Sequence, residues 1–145
     1  MTIVQQLLNE KPTGTWTIGP QATVYQALEL MAKKEVGALA VVDDKGKLVG
    51  MFSERDYARK IVLLGRTSKT TTVAELMATK VLYVKPDTTV EECMALMTDK
   101  RCRHLPVLAG DKLIGLVSIG DIVKAIITEQ DITIRSLKNY ITGSY

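Results

Sequence analysis

Ser53-Glu-Arg-Asp56 returns as Ser118-Ile-Gly-Asp121, and the residues around the first copy return around the second. Pro20, Thr23, Val24, Leu30, Met31, Lys34, Leu39 and Val41 match Pro86, Thr89, Val90, Leu96, Met97, Lys100, Leu105 and Val107 at an offset of 66. Lys47, Leu48, Gly50, Ser53 and Asp56 then match Lys112, Leu113, Gly115, Ser118 and Asp121 at an offset of 65. The missing residue falls between Asp43-Asp44-Lys45-Gly46 and Ala109-Gly110-Asp111, Gly/Asp turns in which a change of loop length costs little. A chain duplicated in this way builds one unit twice. A period of about 66 is longer than the roughly 20–50 residues of common solenoid repeats, so two α/β units in tandem fit better.

Composition narrows the classes. The chain has 145 residues, 46% of them apolar, which suits one packed domain or two small units sharing a core. A net charge of +3, with one denser patch at Lys100-Arg101-Cys102-Arg103-His104, is too little for a nucleic-acid footprint. Cys93 and Cys102 form no disulfide framework and are read as reduced, and with the single histidine they are too few for a zinc site. No apolar run approaches the ~18 residues of a membrane span. The first residues lack the basic flank and apolar stretch of a signal peptide, so the expected location is cytoplasmic.

Each repeat reads strand, helix, strand, turn, strand, helix. Residues 16–18 and 81–84 are short extended runs halted by Pro20 and Pro86. Thr23-Val24-Tyr25-Gln26 and Thr89-Val90-Glu91-Glu92 have the form of capping boxes. The helices behind them put Val24, Ala27, Leu28 and Met31, and Val90, Cys93, Met94 and Met97, on matched faces, with the methionines as core filler. Residues 38–42 pair with 48–52, and 104–108 with 113–117, all apolar enough for burial on two faces. Asp56 and Asp121 are expected to open the last helices, over 57–64 and 122–128, the first closed by Gly65. A polar loop at 66–72 leads into a third capping box, Thr72-Val73-Ala74-Glu75, and a short helix through Met77. Residues 3–8 are expected to form the matching helix before the first repeat. Ile134, Leu137 and Ile141 mark a further amphipathic segment over 132–141, packing in cis or on a partner chain. The expected division is 1–10 leading helix, 11–65 first repeat, 66–75 linker, 76–129 second repeat and 130–145 helical tail.

The duplicated Gly-x-x-Ser-x-x-Asp endings (Gly50 to Asp56, Gly115 to Asp121), the element order and Arg103-His104-Leu105-Pro106-Val107 together resemble a tandem cystathionine-β-synthase (CBS) domain pair, a Bateman module, over nearly the whole chain. The resemblance implies a mixed α/β (α+β) fold of two βαββα units packed sheet to sheet about a pseudo-twofold axis. It also implies two clefts that accept adenosine-type ligands, and frequent dimerisation into a flat disc.

On that basis residues acquire roles. An ionised carboxylate accepts charge-assisted hydrogen bonds from both hydroxyls of a ribose diol, the role assigned to Asp56 and Asp121. Ser53 and Ser118 supply hydroxyls for a ribose oxygen or α-phosphate, and Gly50 and Gly115 remove bulk near the cleft. The alternative makes the aspartates helix N-caps and the serines turn formers. By analogy with the family, the adenine slot borders residues 15–17 (Thr15, Trp16), 81–83 (Val81, Tyr83), 37–39 (Gly37, Ala38) and 104–106 (His104, Pro106). Gly37 lets a ring approach the main chain, or is simply a turn residue. Phosphate candidates are Arg55, Arg101, Arg103, His104 and Lys33 or Lys34. Arg55 aligns with Gly120, and Gly37-Ala38 align with Arg103-His104, so the two clefts differ chemically.

The functional expectation is an adenine-nucleotide sensor for AMP, ADP, ATP or NAD(H), homodimeric and acting through an unidentified effector protein, with no nucleic-acid or membrane partner. The competing expectation is a dimerising interaction module with vestigial clefts. An enzyme is not expected: the chain has no phosphate loop or dinucleotide fingerprint, one histidine limits nucleophilic triads, and a bound nucleotide would be a signal rather than a catalytic cofactor.

Overall fold

The structure, a computed structural model, describes residues 1–11 and 15–142. Residues 12–14 and 143–145, which the expected first repeat and tail include, lie outside them. The order is α1 (Val4–Glu10), β1 (Thr17–Ile18), α2 (Val24–Lys34), β2 (Ala38–Val42), β3 (Leu48–Ser53), α3 (Glu54–Leu63), α4 (Val73–Leu76), α5 (Val90–Lys100), β4 (His104–Ala109), β5 (Lys112–Ser118) and α6 (Ile119–Thr142). The strands form two small sheets, β1-β2-β3 and β4-β5, so the fold mixes helix and strand as expected.

The helices start where the sequence supplies an acceptor. Thr23 Oγ1 accepts from Gln26 N at 3.1 Å, while Gln26 Oε1 accepts from Thr23 N at 2.9 Å. Thr89 Oγ1 accepts from Glu92 N at 3.1 Å. Each device satisfies first-turn donors that have no intrahelical partner. The same helices end alike: Glu35 (φ 55) and Arg101 (φ 53), 66 residues apart, both close their helix in the left-handed region. A side chain there costs on the order of 1–2 kcal/mol, so packing, not local preference, holds both ends.

The chain falls into two compact units, and each recruits a leading helix from a distance. In one unit α4 joins β1, α2, β2, β3 and α3: Val24 N donates to Thr71 O at 2.8 Å, Val73 N to Ala22 O at 2.8 Å and Ala74 N to Pro20 O at 2.9 Å. Val73 and Leu76 then enter a core with Val24, Ala27, Met31, Leu39, Val41, Phe52 and Ile61. In the other unit α1 joins α5 and α6: Val4 N donates to Thr88 O at 2.8 Å, Gln5 N to Pro86 O at 2.9 Å and Val90 N to Thr2 O at 3.0 Å. Val4 and Leu7 are buried there, as are Val90, Cys93, Met97, Leu105, Val117 and Ile122. The helix expected before the first repeat therefore forms, over Val4–Glu10, but belongs in space with the second.

Four expectations need correction. The last helices begin at Glu54 and Ile119, not after the aspartates, because Ser53 is the N-cap residue and Asp56 sits one turn inside; Ser118 and Asp121 have the same arrangement. The extended run at 81–84 shrinks to a single parallel bridge from Val84 to Val107. In the first repeat Ala40 N donates to Trp16 O at 3.2 Å, but its counterpart Pro106 has no N–H, so only Val84 N to Pro106 O remains, at 3.0 Å. The expected separate tail segment is instead the continuation of α6, a single helix of 24 residues. Finally, Gly50 and Gly115 make room for the chain itself. A Cβ on Gly50 would lie 2.6 Å from Met77 Sδ and 2.9 Å from Ala78 O, and one on Gly115 would lie 2.5 Å from Leu8 Cδ2.

The obstacles at the two glycines differ, which yields a test. Ala78 O accepts from Met51 N at 3.0 Å and is not free to move, whereas the end of the Leu8 side chain can rotate. Gly50→Ala should cost about 1–3 kcal/mol in urea denaturation, and Gly115→Ala less than about 1 kcal/mol. Equal losses would refute this account of the two contacts.

Candidate functional site

Each Ser-x-x-Asp motif lies where a strand passes straight into a helix. At the first, Asp56 Oδ2 accepts from Ser53 N at 3.0 Å and from Ser53 Oγ at 3.1 Å, while Asp56 N donates to Ser53 Oγ at 3.3 Å. At the second, Asp121 Oδ2 accepts from Ser118 N at 2.9 Å, and Asp121 N donates to Ser118 Oγ at 3.2 Å. These are reciprocal caps with aspartate in the place of the usual glutamate. The shorter side chain keeps the carboxylate close to the strand end.

The equivalent carbonyl before the second strand completes each corner. Gly37 O accepts from Glu54 N at 3.1 Å, and Arg103 O accepts from Ile119 N at 2.8 Å. In the first corner Ala38 pairs with Ser53, and Thr17 with Ala40, so Trp16, Gly37, Ala38, Ser53 and Asp56 gather at one end of the three-stranded sheet, with Thr15 just before it. Lys34 Nζ lies 4.3 Å from the centre of the Trp16 ring, a cation–π contact that joins a phosphate candidate to an adenine-slot candidate. Arg55 is exposed on the first turn of α3. In the second corner His104 opens β4, Pro106 is buried two residues on, and Arg103 is exposed. Val81 and Tyr83 group with the other unit, and Tyr83 is half exposed.

The corners differ in their cation, a feature absent from the motif itself. Lys60, four residues after Asp56, puts Nζ 3.8 Å from Asp56 Oδ1 and donates to Leu76 O at 2.8 Å. Its counterpart in the second repeat is Ala125. There the charge comes from Lys11, whose Nζ donates to Asp121 Oδ2 at 2.7 Å and to Leu116 O at 2.9 Å. Each lysine thus ties a backbone carbonyl to the motif carboxylate. The i,i+4 spacing could have revealed Lys60. Nothing near Asp121 announces Lys11, 110 residues earlier.

Burial is the strongest single influence on the Asp121 carboxyl and pushes its pKa up. The hydrogen bonds from Lys11 and from Ser118, with the charge of Lys11, outweigh it and hold the group below its ordinary 3.8. The side chain is 27% exposed and faces a groove of about 330 Å³ between α1 and α6, which Gln6, Glu10, Lys11, Lys124 and Thr128 also line. That volume lies at the small end of ligand pockets. Cys93 and Cys102 are free, and burial first, then the charge of Glu92, pushes the Cys93 thiol up to about 11. Among the described residues no group of His, Cys, Asp and Glu could hold a metal ion, and no helix is long and apolar enough to cross a membrane.

A family model, that of the CBS domain, matches residues 4–63 and again 73–128. The chain belongs to the CBS domain family. It is 45% identical over 127 residues to the CBS domain-containing protein CBSX3, mitochondrial, of Arabidopsis thaliana, covering 85% of this chain but 62% of that protein, so the relative extends well beyond the shared region. A putative signal-transduction protein with CBS domains from Burkholderia ambifaria superposes with a TM-score of 0.85 at 53% identity, covering 89% of this chain and 96% of that one. The CBS domain pair of protein MJ0100, solved in complex with 5′-methylthioadenosine and S-adenosyl-L-methionine, superposes with a TM-score of 0.77 at 25% identity, covering 89% and 98%.

Lys11 gives this CBS pair a pH signature. Because the folded pKa of Asp121 is depressed, its stabilisation is present above the ordinary carboxylate range and is lost as pH falls through the folded value. Lys11→Gln should cost about 0.5–1.5 kcal/mol at pH 7, reduced from the usual charged hydrogen bond because Lys11 is 37% exposed. The difference from wild type should shrink in denaturant titrations as the pH is lowered through the folded pKa of Asp121, leaving only what the hydrogen bond to Leu116 O contributes. A loss that does not change as the pH falls would assign Lys11 to the Leu116 carbonyl alone.

Proposed function

We propose that this CBS pair is a regulatory module that binds an adenosine-containing small molecule at its Ser-x-x-Asp corners and passes the binding event to another protein. The observation that carries this reading is the Asp121 corner: a carboxylate kept ionised by Lys11, held in place by Ser118 and facing a groove. An ionised acceptor that needs no reorganisation suits a ribose diol. The Ser53–Asp56 corner repeats the arrangement, with Trp16, Gly37 and Ala38 at the same sheet end for a base. The ligands of the MJ0100 pair, both built on adenosine, support the ligand class. AMP, ADP, ATP and NAD(H) belong to that class, and Arg55, Lys34, Arg103 and His104 are the groups we assign to phosphate. In this reading the chain is regulatory rather than catalytic, a bound nucleotide is its signal, and the module is a homodimer.

A second reading rests on the same hydrogen bonds. Both aspartates already serve as reciprocal caps, so the motifs could be purely structural and the module an interaction platform. Asp121→Asn separates the two, since the amide oxygen still accepts the Ser118 N–H but carries no charge. Calorimetric titration with S-adenosylmethionine, methylthioadenosine, AMP, ATP and NAD should show binding by at least one, and Asp121→Asn should weaken it tenfold or more, about 1.4 kcal/mol. At about 100 times its dissociation constant that ligand should add about 2.7 kcal/mol to stability. If no compound binds wild type, or if Asp121→Asn lowers the melting temperature while leaving affinity intact, the structural reading prevails.

A further inference from the structure

The second half of α6 is exposed along its length. The family match ends at residue 128, yet the helix runs on to Thr142, and every residue from 130 to 141 is exposed. A bare helix of that length is marginal in water, and this one carries an apolar stripe. Val123, Ile127, Ile134, Leu137 and Ile141 are 39–81% exposed. With Gln130 they follow one another at alternating steps of four and three residues. Val123 to Ile141 is about five full turns, so the six positions stay in line on one face.

This alternation is the seam of a coiled coil, with Ile127, Ile134 and Ile141 at the a positions and Val123, Gln130 and Leu137 at d. Isoleucine at a, with leucine at d in the Ile134–Leu137 layers, favours two parallel strands, and Gln130 puts one polar layer into the stripe. The stripe is also large enough. Five apolar side chains and Tyr140 beside them, at about 60–100 Å² each, offer on the order of 400–600 Å² per helix, near the ~600 Å² per partner of a small specific interface. A lipid surface fits less well. Helices that lie on membranes are rich in Lys and Arg, whereas Lys124, Arg135 and Lys138 on α6 are balanced by Asp121, Glu129 and Asp131.

We propose that the exposed end of α6 pairs in parallel with the same helix of a second copy of this chain, forming a short two-stranded coiled coil beyond the CBS pair. The pairing is independent of any ligand in the corners. Sedimentation velocity of the full chain across a wide concentration range should show a dimer. Ile134→Asp with Leu137→Asp should raise its dissociation constant by about 100-fold or more, and Ser136→Asp, at a position facing away from the seam, should leave it unchanged. Leu137→Cys in a Cys102→Ser background should cross-link to a covalent dimer under mild oxidation, because parallel strands bring the two copies of that residue together. A monomeric wild type, a dimer indifferent to the double substitution, or the absence of the cross-link overturns the proposal. Binding of a monomeric protein to anionic phospholipid vesicles through the same stripe would likewise overturn it in favour of a lipid surface.

Discussion

A strand that turns directly into a helix, with no loop between, must satisfy the last N–H of the strand and the first N–H groups of the helix in the same three residues. The aspartate three residues after the serine does this by accepting the serine N–H while the serine hydroxyl accepts its own. The rest of each unit depends on that exchange. It sets where α3 and α6 leave the sheet, holds Gly37 O and Arg103 O over their first turns, and leaves a carboxylate fixed at the sheet end. The residue proposed for ligand binding and the residue that builds the corner are here one residue.

A fixed carboxylate needs a cation, and the repeats solve this differently. In one, Lys60 reaches back along its own helix. In the other that position is Ala125, and Lys11 arrives from the segment that follows α1, drawn in because α1 docks beside α5 and α6. The recruitment of each leading helix from a distance therefore has chemical as well as packing consequences. The glycines of the two third strands belong to the same device: Gly50 admits Met77 and Ala78 just after α4, and Gly115 admits Leu8 of α1. Duplication supplied two equal frames, and the leading segments made them unequal.

Particular residues show how far the sequence could be read. The helices at Val24–Lys34 and Val90–Lys100 were legible because their caps and apolar faces are local signals. The strands Ala38–Val42 and Leu48–Ser53 were legible from apolar runs bounded by a Gly/Asp turn. The run at 81–84 misled, because its residues favour a strand while the missing N–H lies in Pro106, more than twenty residues away. The start of α3 was misplaced because an aspartate is as good an N-cap as a serine, and only the hydrogen bonds tell which holds the end.

Sequence alone determined that the chain is one unit twice, that its elements alternate as they do, and that the two Ser-x-x-Asp motifs are equivalent yet flanked by different charges. Those properties are carried by residues within a few positions of one another, where chain geometry leaves little choice. Tertiary structure alone decided which leading helix serves which repeat, that Lys11 rather than a neighbour of Asp121 holds that carboxylate, and that α6 continues as a bare amphipathic rod. Such pairings join residues some fifty to a hundred and ten positions apart. Their free energy comes from burying Val4, Leu7, Val73 and Leu76, which any apolar groove could offer, so only the packed molecule selects among the possible partners.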